Sequence, residues 1–335
     1  MKSVDLTGLK LISVREIEAA GKDGATELVV CSRAVITPSA RDRAQQNGIA
    51  LRSNANGAPA AAVAATNGRP ALPVPVKDHD ARRLFNSPEA EAIKAEIINV
   101  GRKLWMRMYV DGNGGNISYR IGPNQVICTP TLISKADLKA DDLCMVDLEG
   151  NQLVGERPRT SEILLHLEIY KAVPEAKGVV HCHPPHATAY AITGRVPPTC
   201  IIPECEVFVG KVAISPYETP GTQKFAETVL PFVKKHNTIL LGNHGIVCWA
   251  DTVTHAEWFA EVLDTYCWTL MLAQQTGAPI TYIPNEKAAD LLALKKRLGL
   301  PDARYDVKEC QLCDMPEMPG AIALQIGRAS CRERV

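Results

Sequence analysis

The sequence predicts an α/β fold with one large domain and a small N-terminal appendage. β-Branched runs typical of strands, such as Val179-Val180, alternate with longer amphipathic segments typical of helices, such as residues 87–108. The chain has 335 residues and 46% apolar content, which is enough for a full core and a second, smaller unit. Because 37 basic residues balance 37 acidic ones, we expect no binding to nucleic acid or to an anionic membrane.

Composition also bears on the compartment in which the protein works. No run approaches the roughly 18 apolar residues that span a bilayer, and the N-terminus lacks the apolar core of a secretory signal. The 11 cysteines are scattered through apolar stretches rather than set in a disulfide framework, which favours a reducing cytoplasm. Cys310 and Cys313 have C-x-x-C spacing, but a matching second pair is missing, so we do not expect a zinc site there.

The N-terminal part of the chain predicts a small separate unit followed by a linker. Within residues 1–53 we expect a helix over 14–20, a strand over 27–32 and a second helix over 38–46. Residues 54–78 are mostly Ala, Pro, Gly and Asn without periodicity, which is typical of a flexible linker. Neither segment carries residues that indicate chemistry.

Residues 79–300 have the composition of the main folded domain. We expect helices over 87–108, 160–173, 187–194, 225–233 and 252–275, and strands over 125–129, 144–147, 179–183, 207–214, 238–241 and 246–248. A tail over 301–325 follows, and residues 326–335 look like translated adapter sequence that carries no information about the fold.

Two histidines at the end of one predicted strand form the first candidate site. Side chains alternate along a strand, so His181 and His183 point one way and Cys182 points the other way. Two imidazoles on one face are a ready pair of metal ligands, although two satisfied core histidines have the same spacing. His244 lies on a tight turn between two apolar runs, where it either caps the turn or reaches a shared site.

Two further segments have residue types that bind anions. The helix that begins near Thr160 and Ser161 exposes backbone N–H groups in its first turn, which also carries Glu162, with His166 one turn later. Residues 111–118 are rich in glycine and asparagine, so their backbone can approach a phosphate closely. Each segment also has an ordinary explanation, because a first-turn glutamate complements the helix dipole and glycine-rich loops are commonly turns.

Four motifs, in this order, resemble the class II aldolase/adducin family over roughly residues 88–275. They are Gly115-Asn116-Ile-Ser118, Thr129-Pro130-Thr131, Ser161-Glu162 with His166, and His181-Cys-His183 followed by Asn243-His244-Gly245. The resemblance implies a three-layer α/β/α fold around a mostly antiparallel sheet. It also implies a homotetramer with its sites at the subunit boundaries.

The resemblance implies a role for each matching residue and a reaction. The positions that match the family's three ligands for a divalent metal, usually zinc, are His181, His183 and His244. The acid/base position is Glu162, and the positions that bind the substrate phosphate are Asn116, Thr131, Thr160 and Ser161. The implied reaction is cleavage of a ketose 1-phosphate, of the L-fuculose or L-rhamnulose type, to dihydroxyacetone phosphate and lactaldehyde.

The chain departs from this family's pattern at two positions, and the scaffold serves other functions. Leu132 stands where the sugar-phosphate aldolases have glycine, and Ile202 falls where they place a catalytic tyrosine, with Glu204 nearby. Pentulose-phosphate 4-epimerases and sugar-phosphate dehydratases use the same scaffold, and adducin uses it for assembly without catalysis. The retained histidines and Glu162 argue against an adducin-like role.

Residues 34–43 resemble short segments attached to enzymes of bacterial microcompartments. Compartments that degrade fucose and rhamnose use an aldolase of the same family. This second resemblance implies that residues 1–76 bind shell proteins, so that the protein lies in the cytoplasm inside such a compartment.

Overall fold

A computed structural model describes residues 2–7, 11–12, 14–22, 24–31, 34–36, 44, 47–54, 79–308 and 311–313. The chain divides into two units, Met1–Ala71 and Leu72–Val335. The predicted linker, most of the predicted helix over 38–46, Cys310 and residues 314–335 lie outside the described residues. No helix in the described ranges is long and apolar enough to cross a membrane.

The N-terminal unit has a small parallel sheet and an apolar core of its own. Its described elements are β1 (Ser3–Leu6), β2 (Leu11–Ile12), α1 (Val14–Lys22), β3 (Glu27–Cys31), β4 (Val35–Ile36) and β5 (Ala50–Asn54). Strand β3 lies between β1 and β5, and β2 pairs with β4, all of them in parallel. Ile12, Ile17 and Leu28 are fully buried, and the apolar cluster that they join contains only residues of this unit.

The larger unit is built on one sheet of eight strands. Its helices and strands are α2 (His79–Phe85), α3 (Pro88–Met106), β6 (Asn116–Arg120), β7 (Val126–Cys128), β8 (Cys144–Val146), β9 (Gln152–Val154), α4 (Ile163–Ala172), β10 (Gly178–Cys182), α5 (Pro185–Thr193), β11 (Ala213–Ser215), α6 (Gln223–Glu227), β12 (Thr238–Leu241), β13 (Gly245–Ala250), α7 (Val253–Gln275) and α8 (Asn285–Arg297). The strand order is β11-β12-β13-β10-β6-β7-β8-β9. Only β11 and β12 pair in parallel within this sheet, so the expected mostly antiparallel sheet is confirmed.

Helices cover both faces of this sheet, because its strands are apolar on both sides. Val180 and Cys182 of β10 belong to the apolar cluster that includes α3 and α7. Val179 of the same strand points the other way, into the cluster that includes α4. Successive side chains of one strand therefore supply two cores, and the predicted α/β/α layering is confirmed.

Local signals set several of the helix ends. Ser87 caps α3, and its Oγ accepts a hydrogen bond from the amide of Ala90 at 3.2 Å, as its residue type predicts. Gly194 follows α5 with a φ of +66°, a left-handed conformation that glycine adopts without strain. Thr252 caps α7 in the same way as Ser87 caps α3.

The predicted strand over 207–214 is wrong for most of its length. Residues Cys205–Val209 form a single π-helical turn, and the strand comprises only Ala213–Ser215. The turn is anchored by Glu206, whose buried carboxylate accepts from the amide of Cys200 and pairs with Arg304 at 2.6 Å. Since Arg304 comes from a distant part of the chain, the apolar pattern of the segment could not indicate this conformation.

The structure contains a disulfide that the sequence did not predict. Cys200 and Cys313 are bonded, with their Cα atoms 5.5 Å apart and 113 residues between them in the sequence. The hydroxyl of Thr199 donates to the carbonyl of Leu312, so the tail is also tied down beside the disulfide. The sequence indicated scattered cysteines rather than a disulfide framework, and it gave no sign of this single bond, because the pairing depends on where the tail docks.

Candidate metal centre and active site

Three central strands place the candidate residues at one end of the sheet. His181 lies near the end of β10 and pairs in register with Asn116, the first residue of β6. His183 follows the strand, where its amide donates to the carbonyl of Tyr109 at 2.7 Å. His244 lies on the turn between β12 and β13, next to β10. The strand pairing thus brings together residues that are far apart in the sequence.

The turn that carries His244 depends on both of its neighbours. Asn243 has a φ of +55°, which asparagine tolerates better than most residues. A Cβ atom at Gly245 would lie 2.5 Å from the carbonyl oxygen of Cys182 and 2.6 Å from the ring of His183. Only glycine fits this position, so the Asn-His-Gly motif brings the His244 ring close to the β10 histidines.

The three imidazole rings converge on a common point. Their ring centroids lie 4.8 Å apart for His181 and His183, 4.7 Å for His181 and His244, and 5.0 Å for His183 and His244. One nitrogen from each ring lies within 4.8 Å of the other two. Three imidazole nitrogens at this spacing are a donor set typical of a catalytic divalent metal, which keeps further positions for substrate.

The hydrogen bonds around His181 test whether a cation fits this site. Its Nδ1 donates to the carbonyl of Ile246 at 2.8 Å, which leaves Nε2 as the nitrogen that can offer a lone pair to a metal. That nitrogen lies 3.1 Å from Nε2 of His183 and 3.2 Å from Oε2 of Glu162. Facing lone pairs repel one another unless a cation is shared between them, so the arrangement fits a divalent metal.

The protonation of the other two histidines also suits metal binding. Burial, together with the charge of neighbouring histidines, lowers the pKa of His183 to about 3 and that of His244 to about 4. Both rings are therefore neutral near pH 7, as ligands must be. Nδ1 of His244 is buried and has no hydrogen-bond partner among the described residues.

Glu162 occupies the position just before α4, and one expectation about it needs correction. The helix begins at Ile163 rather than near Thr160, and the cap position belongs to Glu162, whose side chain makes no capping hydrogen bond. Its carboxylate instead turns toward the histidines, with Oε1 at 3.6 Å from Nε2 of His244. Burial raises the pKa of Glu162, but the nearby His181 and the hydrogen bond from the amide of Asn116 outweigh it and hold the pKa well below its usual range.

Three of the predicted phosphate-binding residues lie on paired segments beside Glu162. Pro130 forms an isolated β-bridge with Arg159, which sets the segment that ends in Thr131 against the segment that continues to Thr160 and Ser161. Ser161 is exposed, Thr131 is half-buried, and Thr160 is buried with its hydroxyl accepting from the amide of Glu162.

The side chain of Asn116 has different partners from those expected. Its Nδ2 donates to Oε2 of Glu162 at 2.8 Å, and its Oδ1 lies 2.6 Å from Nε2 of His166. Its amide therefore has two partners inside the protein, and its role at the phosphate remains a prediction, as do the roles of Thr131, Thr160 and Ser161. In the sequence, only the one-turn spacing of Glu162 and His166 indicated that these side chains lie near one another.

Lys135 is a further residue at this site that the sequence did not indicate. Its ammonium group is buried and donates to the carbonyls of Asn113 at 3.2 Å and Ile133 at 3.1 Å, so it holds the glycine-rich loop in place. Burial lowers the pKa of Lys135 to about 8, while the charge of Glu162 opposes that shift.

The two departures from the family pattern add no further metal-ligand candidate to the three histidines among the described residues. Leu132 is 78% exposed and has a φ of +57°, in the left-handed region that glycine prefers. Ile202 packs against the apolar core, and Glu204 is exposed. Neither of the latter two side chains joins the described cluster of histidines within this chain.

Comparisons with known proteins agree with this geometry. Residues 95–271 match the family described as Class II Aldolase and Adducin N-terminal domain. The chain is 33% identical to the 3-oxo-tetronate 4-phosphate decarboxylase of Haemophilus influenzae, over 60% of this chain and 96% of that one. It is 37% identical to the L-fuculose phosphate aldolase of Methanococcus maripaludis, over 50% of this chain and 91% of that one.

Two solved structures have the same fold as the larger unit. YgbL of Klebsiella pneumoniae, described as a candidate aldolase, epimerase or decarboxylase, matches with a TM-score of 0.55 and 27% identity, over 60% of this chain and 98% of that chain. An L-fuculose 1-phosphate aldolase matches with a TM-score of 0.56 and 27% identity, over 61% and 96% respectively.

Proposed function

This chain belongs to the class II aldolase and adducin family, and from that premise we propose that it cleaves a ketose 1-phosphate of the L-fuculose or L-rhamnulose type to dihydroxyacetone phosphate and lactaldehyde. The observation that carries the proposal is the convergence of His181, His183 and His244 with the carboxylate of Glu162 in reach of the cluster. The three ring nitrogens and the carboxylate, at this spacing, favour a shared cation. The carboxylate is not one of the three proposed ligands, so it is available for proton transfer.

The proposed metal ligands are the three histidines, and the metal is Zn²⁺ or another divalent ion. When bound, such an ion supplies Lewis-acid polarisation of the substrate's carbonyl group. The protein's own contribution is to hold the three nitrogens neutral and oriented. The strand pairing and the hydrogen bond from His181 to Ile246 support that role.

Glu162 is the proposed acid/base, and the segments beside it are the proposed phosphate site. When the C3–C4 bond of the ketose breaks, the C4 hydroxyl gives up its proton and becomes the carbonyl group of the departing aldehyde. The electron pair of the broken bond remains on C3, and C3 takes up a proton. A carboxylate in a partly buried pocket next to the metal ligands is placed to carry that proton. The proposed phosphate-binding residues are Asn116, Thr131, Thr160 and Ser161. Together with the N-terminus of α4 they offer hydrogen-bond donors that would hold the phosphate and so fix the reacting carbons.

A decarboxylase is the second candidate, because the relative from Haemophilus influenzae bears the name 3-oxo-tetronate 4-phosphate decarboxylase and matches over 96% of its length. Loss of CO₂ from a 3-oxo acid also breaks a carbon–carbon bond one carbon away from a carbonyl group. The carbon left behind then needs a proton, so the same residues could serve either reaction. Epimerisation and dehydration of a sugar phosphate are further candidate reactions on this scaffold.

The test is product analysis with a small panel of substrates. Purified protein loaded with zinc is incubated with L-fuculose 1-phosphate, L-rhamnulose 1-phosphate, L-ribulose 5-phosphate and 3-oxo-tetronate 4-phosphate. Dihydroxyacetone phosphate with lactaldehyde is the expected product of the first two compounds. Release of CO₂ from the fourth compound alone would replace the aldolase by the decarboxylase. An epimer would instead indicate an epimerase, and a dehydrated ketone would indicate a dehydratase. A stable protein that binds no metal would indicate the adducin-like assembly role.

We further propose that the protein forms a homotetramer whose active sites lie at subunit boundaries. Large exposed apolar side chains on the larger unit support association, and they include Trp105, Met106, Met108, Trp268 and Leu272. Residues 1–76 are proposed to bind the shell proteins of a bacterial microcompartment in the cytoplasm. The separate apolar core of the N-terminal unit supports an independent targeting role.

A further inference from the structure

A buried chain of side-chain hydrogen bonds leads from the interior of the larger unit to Glu162. The hydroxyl groups of Tyr170 and Ser118 lie 2.8 Å apart, and Ser118 Oγ lies 2.7 Å from Nδ1 of His166. His166 Nε2 lies 2.6 Å from Oδ1 of Asn116, and Nδ2 of Asn116 lies 2.8 Å from Oε2 of Glu162. The four side chains before Glu162 are at most 4% exposed. The chain therefore runs from the protein interior to the candidate acid/base.

Each hydrogen bond in this chain has one permitted direction. An ionised carboxylate only accepts hydrogen bonds, so the amide nitrogen of Asn116 must face Glu162 and its oxygen must face His166. That oxygen only accepts, so Nε2 of His166 carries the proton and Nδ1 carries a lone pair. The hydroxyl of Ser118 must then donate to Nδ1, which leaves its oxygen to accept from the hydroxyl of Tyr170. All four donors point toward the carboxylate.

We propose that His166, Ser118 and Tyr170 are positioning residues that act through Asn116 to hold the Glu162 carboxylate in its working orientation. The proposal rests on the assignment of Glu162 as the acid/base of the proposed function. None of the three residues needs to touch substrate, because the effect passes through the Asn116 amide. Successive hydrogen bonds that point the same way polarise one another, so the final bond to Glu162 is stronger than an isolated amide bond.

The Asn116 amide, which links His166 to Glu162, does not pass protons along the chain of hydrogen bonds. An amide such as that of Asn116 neither gains nor loses a proton readily near pH 7, so it transmits orientation and not protons. Burial also keeps His166 neutral, since it lowers the pKa of that ring to about 3. Glu162 therefore exchanges protons on its substrate side alone, while its other side is fixed by a donor that stays in one state.

Three variants test whether the chain acts in this way. His166→Leu removes both ring nitrogens, whereas His166→Gln keeps a donor for Asn116 and an acceptor for Ser118. Ser118→Ala is the milder change, because it leaves His166 in place but removes the donor that fixes its tautomer. Ser215→Ala is the matched control, since Ser215 is also a buried strand serine and its hydroxyl has no partner in the part of the chain that the structure describes.

The expected result separates positioning from folding and from metal binding. His166→Leu should lower kcat by roughly 10- to 100-fold, the loss typical of removing an outer partner of an active-site group. KM and metal content in Ser118→Ala and His166→Gln should stay close to those of the unchanged protein. Their thermal unfolding midpoints, which the lost buried hydrogen bonds lower, should still lie above the assay temperature, so that both variants are folded. His166→Gln should recover most of the lost kcat, and Ser118→Ala should fall between it and His166→Leu. Ser215→Ala should match the unchanged protein.

Two results of these kinetic and metal measurements would overturn the proposal. In one, His166→Gln is no better than His166→Leu. In the other, the variants lose metal or raise KM in proportion to their loss of kcat.

A readout that needs no substrate separates this proposal from the assigned reaction. In protein labelled with ¹⁵N-histidine, His166 must be protonated at Nε2 and carry a lone pair at Nδ1. The opposite tautomer would refute the chain of bonds even in an active enzyme. An inactive protein with the expected tautomer would refute only the proposed function.

Discussion

Nε2 of His181 lies 3.2 Å from Oε2 of Glu162, although the two residues belong to different elements, β10 and the start of α4. The proposed metal ligand and the proposed acid/base therefore occupy one small volume. Both atoms can offer a lone pair to a metal, so a cation held by the three histidines would stabilise each of them. A mutation can therefore remove either the carboxylate or a proposed metal ligand, but we expect the activity to need both.

Removing one of the three imidazoles should abolish tight metal binding. His183→Ala leaves two ring nitrogens, so we expect zinc affinity to fall by more than about 100-fold, beyond the loss typical of an outer-shell change. Metal content after dialysis, measured by mass spectrometry, checks this. His255→Ala is the control, because His255 pairs with Asp251 away from the site and should leave the metal content unchanged. Full zinc occupancy in His183→Ala would contradict the ligand assignment.

Neutralising the carboxylate should remove catalysis while leaving the metal. Glu162→Gln keeps the side-chain shape and can still contact Asn116, but it cannot carry a proton, so kcat should fall by roughly 10²- to 10⁴-fold. Zinc content should stay near that of the unchanged protein, because Glu162 is not one of the three ligands. Steady-state kinetics and metal analysis on the same preparation make the comparison. A loss of zinc together with activity would show that Glu162 is itself a ligand.

Leu132 carries backbone strain that a glycine would relieve. Its φ of +57° costs a residue with a Cβ about 1–2 kcal/mol, and its side chain is 78% exposed, so little packing is lost on removal. After the entropy that glycine adds to the unfolded chain, Leu132→Gly should stabilise the protein by about 0.5–1 kcal/mol. Chemical denaturation measures this. Leu132→Ala keeps the strained conformation and should show no gain, so equal stabilities for the two variants would count against the explanation.

Glu257 should make the free energy of unfolding fall as the pH rises above the range in which a glutamate ordinarily titrates. Its side chain is fully buried on α7, one of its carboxylate oxygens lacks a partner within the described residues, and burial with the nearby Glu261 raises its pKa to about 8. Between about pH 4.5, where the unfolded chain loses this proton, and pH 8, the folded state binds more protons. Stability from this group is therefore present at low pH and lost as pH rises through that window.

Glu257→Gln should remove this pH dependence, because the amide is neutral throughout. The variant should gain stability relative to the unchanged protein between about pH 5 and about pH 8.5, by about 1–3 kcal/mol. Urea unfolding at several pH values gives the difference. Glu261→Gln is the companion variant, and it should lower the pKa of Glu257 and shift the transition to lower pH. A constant difference across the range would mean that Glu257 is ionised in the folded protein.

Deleting residues 1–76 should separate targeting from catalysis. The metal site, Glu162 and the sheet that carries them all belong to the larger unit, so the truncated protein should keep its activity and metal content. Co-purification with microcompartment shell proteins should be lost in the truncated protein and kept in the full chain. Loss of activity on truncation would assign the N-terminal unit to the enzyme, and retained shell binding would place the targeting segment elsewhere.

Local patterns in the sequence determined much of this fold. The spacing of apolar residues predicted β10, α3 and α7, and Ser87 and Gly194 marked helix ends correctly. Alternation along β10 placed His181 and Cys182 on opposite faces of the sheet, since neighbouring side chains of a strand point in opposite directions. The Asn-His-Gly motif likewise indicated the tight turn at His244. All of these features depend on residues within a few positions of one another.

The tertiary structure alone decided which distant segments meet. The strand order placed Asn116 beside His181, where the Asn116 amide contacts both Glu162 and His166. Docking of the tail likewise created the disulfide between Cys200 and Cys313. A local pattern specifies which way a side chain points along its own element, but not which partner faces it. The partner is set by how the helices and strands pair with one another. The free energy of that pairing comes from burying the sheet as a whole.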